Sequence, residues 1–141
     1  MPIDQIDPTR AHELMGEGHT YLDVRSIPEF SRGHAPGALN IPLLHLEPGG
    51  MIPNPDFLAV VEANIPKDTQ LVVGCAAGGR SQKACEALEG AGYATLANIQ
   101  GGFSGKRDPA GNLEAKGWSD LGLPVATDGQ QYADLAKKAG R

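Results

Sequence analysis

Cys75 lies where the chemistry of this chain is concentrated, between an apolar run, a glycine-rich turn and a helix. The run before it is branched and apolar, as is typical of a buried strand of a parallel sheet: Leu71, Val72 and Val73. After the turn, small and apolar residues recur at helical spacing: Ala84, Cys85, Leu88 and Ala91. The turn therefore lies at a helix N-terminus, where unpaired N–H groups and a partial positive charge stabilise an anion.

The composition of the turn favours a nucleophilic thiolate. A helix N-terminus and a neighbouring cation can lower the pKa of a cysteine thiol from about 8.5 into roughly the 3.5–7.5 range, and Arg80 supplies the cation. Gly78 and Gly79 can take positive φ and turn their amides toward the sulfur. We interpret Cys75 as the catalytic residue and the following six as its substrate-binding loop: Ala76, Ala77, Gly78, Gly79, Arg80 and Ser81.

Two other interpretations of the turn explain less of it. Residues 74–81 fit the nucleotide phosphate-loop pattern only if Arg80 replaces its lysine, and no later predicted strand ends in an obvious magnesium-binding aspartate. A cysteine that is merely buried at a strand end is common. That interpretation does not explain why two glycines and an arginine follow the cysteine.

Alternating helices and strands must position this loop. The sequence predicts a helix from Asp7, a strand over 20–24, a helical turn over 27–31, a strand over 38–41, a loop over 43–53, a helix over about 54–65 and a strand over 94–99. This alternation predicts an α/β fold with a central parallel sheet flanked by helices on both faces. The turn-rich stretch 104–112 is interpreted as a surface excursion that returns Trp118 to the core, and 130–138 as a terminal helix or frayed tail.

Three polar residues near the predicted strand ends are interpreted as structural residues near the site. Asp23 and Arg25 close one strand, and such pairs commonly satisfy each other and nearby backbone groups. His34 lies in a Gly-His-Ala-Pro-Gly turn, where a solitary histidine commonly bonds to the backbone. The four histidines share no metal-ligand spacing, so no metal site is expected.

Three separated motifs match one known family in the right order. They are Cys75-x-x-Gly78-x-Arg80-Ser81, the stretch 23–42 that begins Asp23-Val24-Arg25, and Gly101-Gly102-Phe103 followed by 122–125. Together they resemble the rhodanese family of sulfurtransferases, over about residues 6–126. The chain is most similar to small single-domain members, both bacterial and plant senescence-associated, the latter sharing a segment like 50–58. We therefore expect one rhodanese domain over 1–126 and a C-terminal helix or tail over 127–141. Many members place a tryptophan soon after the phenylalanine, whereas here Trp118 comes much later.

The resemblance implies a three-layer rhodanese fold and a sulfurtransferase of the thiosulfate type. Cys75 would take a sulfane sulfur from a small anionic donor such as thiosulfate, become a persulfide, and pass the sulfur to a thiol, a protein thiol included, or to a cyanide-like acceptor. No cofactor is required. One alternative is a non-enzymatic persulfide carrier or binding module. Another is a cysteine phosphatase or arsenate reductase, but those relatives enclose a longer loop than the four residues between Cys75 and Arg80.

Composition limits the partners and the location. The 141 residues carry a net charge of −5 and no cluster of Lys or Arg, which argues against nucleic acid and anionic membranes as partners. No apolar stretch approaches a membrane span, and residues 1–5 lack a secretory pattern, so a cytoplasmic location is expected. The two cysteines form no disulfide framework.

Overall fold

The structure is a computed structural model that describes residues 3–128 and 132–141. Strands and helices alternate along most of the chain. In chain order the elements are β1 (Asp4–Ile6), α1 (Pro8–Gly16), β2 (Thr20–Asp23), α2 (Ile27–Arg32), β3 (Leu39–Asn40), β4 (Leu44–Glu47), β5 (Gly50–Pro53), α3 (Phe57–Asn64), β6 (Leu71–Gly74), α4 (Gly79–Gly90), β7 (Leu96–Ile99), β8 (Lys106–Arg107), β9 (Leu113–Ala115) and α5 (Tyr132–Lys138).

The main sheet of the described residues is parallel, in the order β1-β7-β6-β2-β3. Its middle strand is β6, which is buried at every position and pairs with β2 on one side and β7 on the other. Functional residues of open α/β sheets gather at the carboxyl ends of the strands. Cys75 lies one residue beyond the carboxyl end of β6, so neighbouring strands surround it.

Helices cover both faces of the sheet, which confirms the predicted three-layer α/β fold. Successive residues of a strand point to opposite faces. Leu71 and Val73 of β6 therefore join the buried cluster formed with α3, α4 and α5, whereas Val72 joins the cluster formed with α1, α2 and Trp118. The first cluster also holds Cys75 and Cys85.

In the first half of the chain, two regions differ from the sequence prediction. Residues 43–53, predicted as a loop, contain a β-hairpin in which Leu46 of β4 lies opposite Met51 of β5. The Pro-Gly-Gly stretch that suggested a loop supplies the two turn residues of this hairpin, Pro48 and Gly49, and the first residue of β5, Gly50, which has φ 117°. Strand β1 was not predicted, because three residues that include Asp4 and Gln5 show no strand pattern on their own.

The C-terminal third completes the packing. The excursion forms the hairpin β8–β9 and returns Trp118 to full burial, where its indole N–H donates to the carbonyl of Pro124 at 2.6 Å. Helix α5 packs on α3, and the Asn64 amide donates to the carbonyl of Leu135 at 2.9 Å. The first two residues of the predicted terminal helix, Gln130 and Gln131, lie outside the described residues. None of the helices in 3–128 and 132–141 is long and apolar enough to cross a membrane.

Candidate active site

The sulfur of Cys75 receives hydrogen bonds from its own loop. The Gly78 N–H donates to Sγ at 3.0 Å, and the Ser81 hydroxyl lies 3.4 Å from Sγ. Gly78 adopts φ 117°, a left-handed conformation that brings its amide back toward the sulfur. Gly79 does not share this conformation as the sequence suggested, because it is already the first residue of α4. Cys75 is 1% exposed, so these donors act where water screens them little.

The Gly101-Gly102-Phe103 motif supports the backbone of the active-site loop at Cys75 and Ala76. The N–H of Phe103 donates to the carbonyl of Cys75 at 2.8 Å, and the N–H of Ser104 donates to that of Ala76 at 2.9 Å. Gly102 has φ 54°, and a Cβ there would overlap the Cys75 carbonyl oxygen and lie 2.8 Å from the Ala76 carbonyl carbon. Glycine is therefore required for this close approach, and the motif fixes the backbone that carries the sulfur.

Arg80 pairs with Glu29 of α2 through both ends of its guanidinium. Nη1 donates to Oε1 at 2.8 Å and Nη2 to Oε2 at 2.9 Å, and both side chains are about one-fifth exposed. Glu29 also accepts from the backbone and hydroxyl of Ser26. Burial alone would raise the pKa of the Glu29 carboxyl, but the hydrogen bonds from Arg80 and Ser26 outweigh it and lower that pKa to about 2.

This pairing changes the role of Arg80 from the one expected first. We expected its planar fork to bind the substrate, whereas the fork is occupied by Glu29 and braces the loop against α2. The Arg80 guanidinium still interacts with Cys75. Its pKa is raised mainly by the hydrogen bonds to Glu29, and Cys75 makes a smaller contribution in the same direction. Arg80 therefore fixes the loop that carries the sulfur through its bidentate bond to Glu29.

Asp23 and Arg25 form a buried ion pair, 2.8 Å between Oδ2 and Nη2. The Arg25 guanidinium also donates to the carbonyl of Gly33 at 2.7 Å and lies over the ring of Phe103, 4.3 Å from its centroid. These contacts link the β2 end to the α2–β3 connection and to the motif below the loop. They support the structural role that the sequence favours.

His34 is occupied by local contacts. Its Nδ1 lies 2.7 Å from the carbonyl oxygen of Phe30 and so carries the proton, and its ring stacks on the Phe30 ring with 3.7 Å between centroids. Its backbone pairs with Ala126 in an isolated bridge. Both sets of contacts support a structural role for His34.

A cleft of about 510 Å³ lies beside the loop. Besides Ala77, Gly78 and Gly79, its lining is rich in side-chain amides and includes one lysine: Gln5, Gln82, Asn98, Gln100 and Lys106. Lys106 belongs to the excursion, which therefore reaches the rim of the active-site loop. Sequence reasoning missed Asn98 and Gln5, although a buried Asn inside an apolar strand is a signal that could have drawn notice. Among the described residues no three His, Cys, Asp or Glu side chains gather as metal ligands.

This geometry, a cysteine at the carboxyl end of a central parallel strand with its sulfur inside the following loop, is accompanied by a direct family match. Residues 7–107 match the family described as "Rhodanese-like domain". The chain belongs to the rhodanese family, as its three motifs indicated.

Individual relatives agree in sequence and in fold. The chain is 41% identical over 120 residues to "Thiosulfate sulfurtransferase 16, chloroplastic" of Arabidopsis thaliana, covering 85% of this chain and 90% of that protein. It is 42% identical over 102 residues to "Protein HIGH ARSENIC CONTENT 1, mitochondrial" of the same plant, covering 72% of this chain and 60% of that protein. The crystal structure of Rv0390 from M. tuberculosis superposes with a TM-score of 0.76 at 26% identity, covering 91% of this chain and all of that one. The two plant relatives are named for organelles, so they lend no support to the cytoplasmic location expected from the sequence.

Proposed function

We propose that this protein is a sulfurtransferase that carries sulfur as a persulfide on Cys75 and accepts it from thiosulfate. The observation that carries the proposal is the placement of the Cys75 sulfur at the N-terminus of α4, with the Gly78 N–H donating to it and the Ser81 hydroxyl 3.4 Å away. Donors fixed in this way stabilise an anionic sulfur, whether thiolate or persulfide. The similarity to a protein named as a thiosulfate sulfurtransferase supports the choice of donor.

The reaction proceeds in two displacements. The Cys75 thiolate attacks the outer sulfur of thiosulfate, a sulfur–sulfur bond forms, and the bond within thiosulfate breaks so that sulfite leaves with the electron pair. A thiolate or cyanide acceptor then attacks the outer sulfur of the persulfide. The Cys75 thiolate leaves with the electron pair, and the starting state returns. Neither displacement at sulfur requires a cofactor.

The size of the loop separates this proposal from phosphatase or arsenate reductase chemistry. Four residues lie between Cys75 and Arg80, and the Arg80 fork is committed to Glu29 instead of facing into the loop. A tetrahedral oxyanion needs several donors from a wider cradle together with a free guanidinium. The name of the mitochondrial relative keeps an arsenic substrate worth testing beside thiosulfate.

Intact-mass measurement after incubation with thiosulfate tests the proposal. We expect the wild-type protein to gain one sulfur atom, which cyanide or a thiol then removes. Cys75→Ser should gain none, and Cys85→Ala should gain sulfur as the wild type does, which makes it the matched control for the loss of a thiol.

Two results would refute the sulfurtransferase assignment. One is equal sulfur gain by Cys75→Ser, and the other is no gain by the wild type from any sulfane donor. Arsenate reduction or phosphate ester hydrolysis that depends on Cys75, in the absence of persulfide formation, would favour the alternative enzyme class. A persulfide that forms but is never passed to thiols or cyanide would favour a carrier or binding module.

A further inference from the structure

The Ser81 hydroxyl lies among three groups that can accept a hydrogen bond. Its oxygen is 3.4 Å from Sγ of Cys75, 3.1 Å from the carbonyl oxygen of Gly78 and 2.5 Å from Oδ1 of Asn98. A serine hydroxyl carries one hydrogen and so donates one such bond. When Ser81 donates to Asn98, its hydrogen is therefore not available to the sulfur of Cys75.

Asn98 is the buried end of a chain of amides. It lies on β7, is 4% exposed, and its Nδ2 donates to Oε1 of Gln5 at 2.9 Å. Gln5 lies directly opposite Asn98 in the pairing of β1 with β7. The Gln5 Nε2 in turn donates to Oε1 of Gln82 at 2.7 Å, at the cleft beside the loop. The chain thus connects the hydroxyl next to the sulfur with the solvent.

A side-chain amide has a donor end and an acceptor end of nearly equal shape. In the observed arrangement Oδ1 of Asn98 faces Ser81 and takes its hydrogen, and a protonated Cys75 can donate to the Ser81 oxygen. If the Asn98 amide rotates by half a turn, Nδ2 donates to the Ser81 oxygen and the hydroxyl hydrogen is free to point at Sγ. That second arrangement suits a thiolate or a persulfide. Gln5 must turn as well, because Oδ1 of Asn98 then needs a donor. Gln82 must turn with it, because Oε1 of Gln5 would otherwise face Oε1 of Gln82.

We propose that Asn98 is a positioning residue for the sulfur chemistry of Cys75, and that the orientation of its amide decides whether the Ser81 hydroxyl serves Asn98 or the sulfur. The inference rests on the proposed function for its meaning, since the anionic sulfur is the thiolate or persulfide of that reaction. Its test needs no sulfur donor, so the two can fail separately.

The test measures the effect of Ser81→Ala on the pH profile of Cys75 alkylation in three backgrounds: wild type, Asn98→Ala and Asn98→Asp. Adducts are located by mass spectrometry, and thermal unfolding is recorded for every variant. Other groups that act on Cys75 are the same in all of them: Tyr21, Arg80 and Cys85, with Asp23 and Arg25 acting on Tyr21. Because each comparison is made within one background, a charge introduced by Asn98→Asp cancels.

The expected effects of Ser81→Ala differ among the backgrounds. With Asn98→Ala the hydroxyl has lost its shortest acceptor, and only the neutral carbonyl of Gly78, 3.1 Å away, still competes with an anionic sulfur for its hydrogen. Removing the hydroxyl should therefore raise the alkylation midpoint most in this background, by about one pH unit, the size expected for a hydrogen bond to a charged group. In the wild type the rise should be smaller. There the hydroxyl can donate to the sulfur only after the amide of Asn98 has turned, and the free energy that this turn costs reduces the benefit that Ser81→Ala removes. With Asn98→Asp the carboxylate can only accept and keeps the hydrogen, so Ser81→Ala should shift the midpoint little.

Equal shifts in the three backgrounds, or no shift in any of them, would overturn the proposal, because Ser81 would then act independently of Asn98 or not at all. If Asn98→Ala proves too unstable to measure, comparing the Ser81→Ala shift in the wild type with that in the isosteric Asn98→Asp background still tests the proposal. The proposal fails if Ser81→Ala shifts both by the same amount.

Discussion

Gly102→Ala should damage the protein at the point where the Gly101-Gly102-Phe103 motif supports the active-site loop. The new Cβ would overlap the carbonyl oxygen of Cys75 and lie 2.8 Å from the carbonyl carbon of Ala76. Backbone atoms form the obstacle, so no flexible side chain can move aside. The loop must therefore shift relative to Phe103.

The cost follows from what this shift breaks. Alanine at φ 54° costs about 1 kcal/mol. Losing the two bonds donated by the N–H groups of Phe103 and Ser104 to the loop carbonyls adds about 1 kcal/mol each. The reduced entropy of the unfolded chain returns about 0.5 kcal/mol. We expect a loss of about 2–3 kcal/mol in the free energy of unfolding. Persulfide formation should be slower by about tenfold to a hundredfold, since small displacements of a nucleophile are costly.

Gly111→Ala is the matched control. Gly111 also has positive φ, 89°, but no atom lies within 4 Å of the position that a Cβ would take there, so only the conformational cost applies. We expect a loss of about 0.5 kcal/mol there and unchanged persulfide formation. Urea unfolding and a timed mass assay with thiosulfate measure both quantities. If the two variants lose the same stability and activity, the close approach of Gly102 to the loop is not what holds the sulfur in place.

Four further predictions concern charged groups and the second thiol. Arg80→Ala and Glu29→Gln should each lower Tm and slow persulfide formation. The double variant should be little worse than the worse single variant, because the same bidentate pair is lost in all three proteins. Additive losses would show that the Arg80–Glu29 pair does not hold the loop against α2. Arg80→Lys should restore the charge but not the planar fork, and so rescue the alkylation midpoint of Cys75 better than Tm. The pKa of Glu29 is lowered to about 2, so the contribution of its carboxylate to stability is complete above about pH 4.5 and is lost as the pH falls toward 2. The difference in Tm between the wild type and Glu29→Gln should therefore disappear over that range. A constant difference would argue against the pairing of Glu29 with Arg80. Cys85→Ala should keep turnover, because burial first and neighbouring acidic groups second raise the pKa of the Cys85 thiol to about 12; loss of most activity in a folded variant would instead indicate a relay between two cysteines.

The strand, loop and helix around Cys75 could be predicted because their signals are local. The apolar run of β6, the glycines and the helical spacing of α4 occupy consecutive residues. The partner of Arg80 depends on tertiary structure, since Glu29 lies 51 residues away and reaches Arg80 only through the placement of α2. The amide chain could not be predicted at all, because Gln5 meets Asn98 through the pairing of β1 with β7. The hairpin β4–β5 was missed because its glycines resembled a loop.

The burial of Cys85 has a consequence for oxidation. A cysteine oxidised to sulfenic acid is commonly rescued by a second thiol, which condenses with it to a disulfide. This chain has one thiol besides Cys75, and it is fully buried in the core and kept protonated. Rescue of an oxidised Cys75 must then come from a thiol outside the chain. The fraction of the protein in which Cys75 is reduced would thus depend on the concentration of external thiols, because Cys75 and Cys85 would not form an internal disulfide.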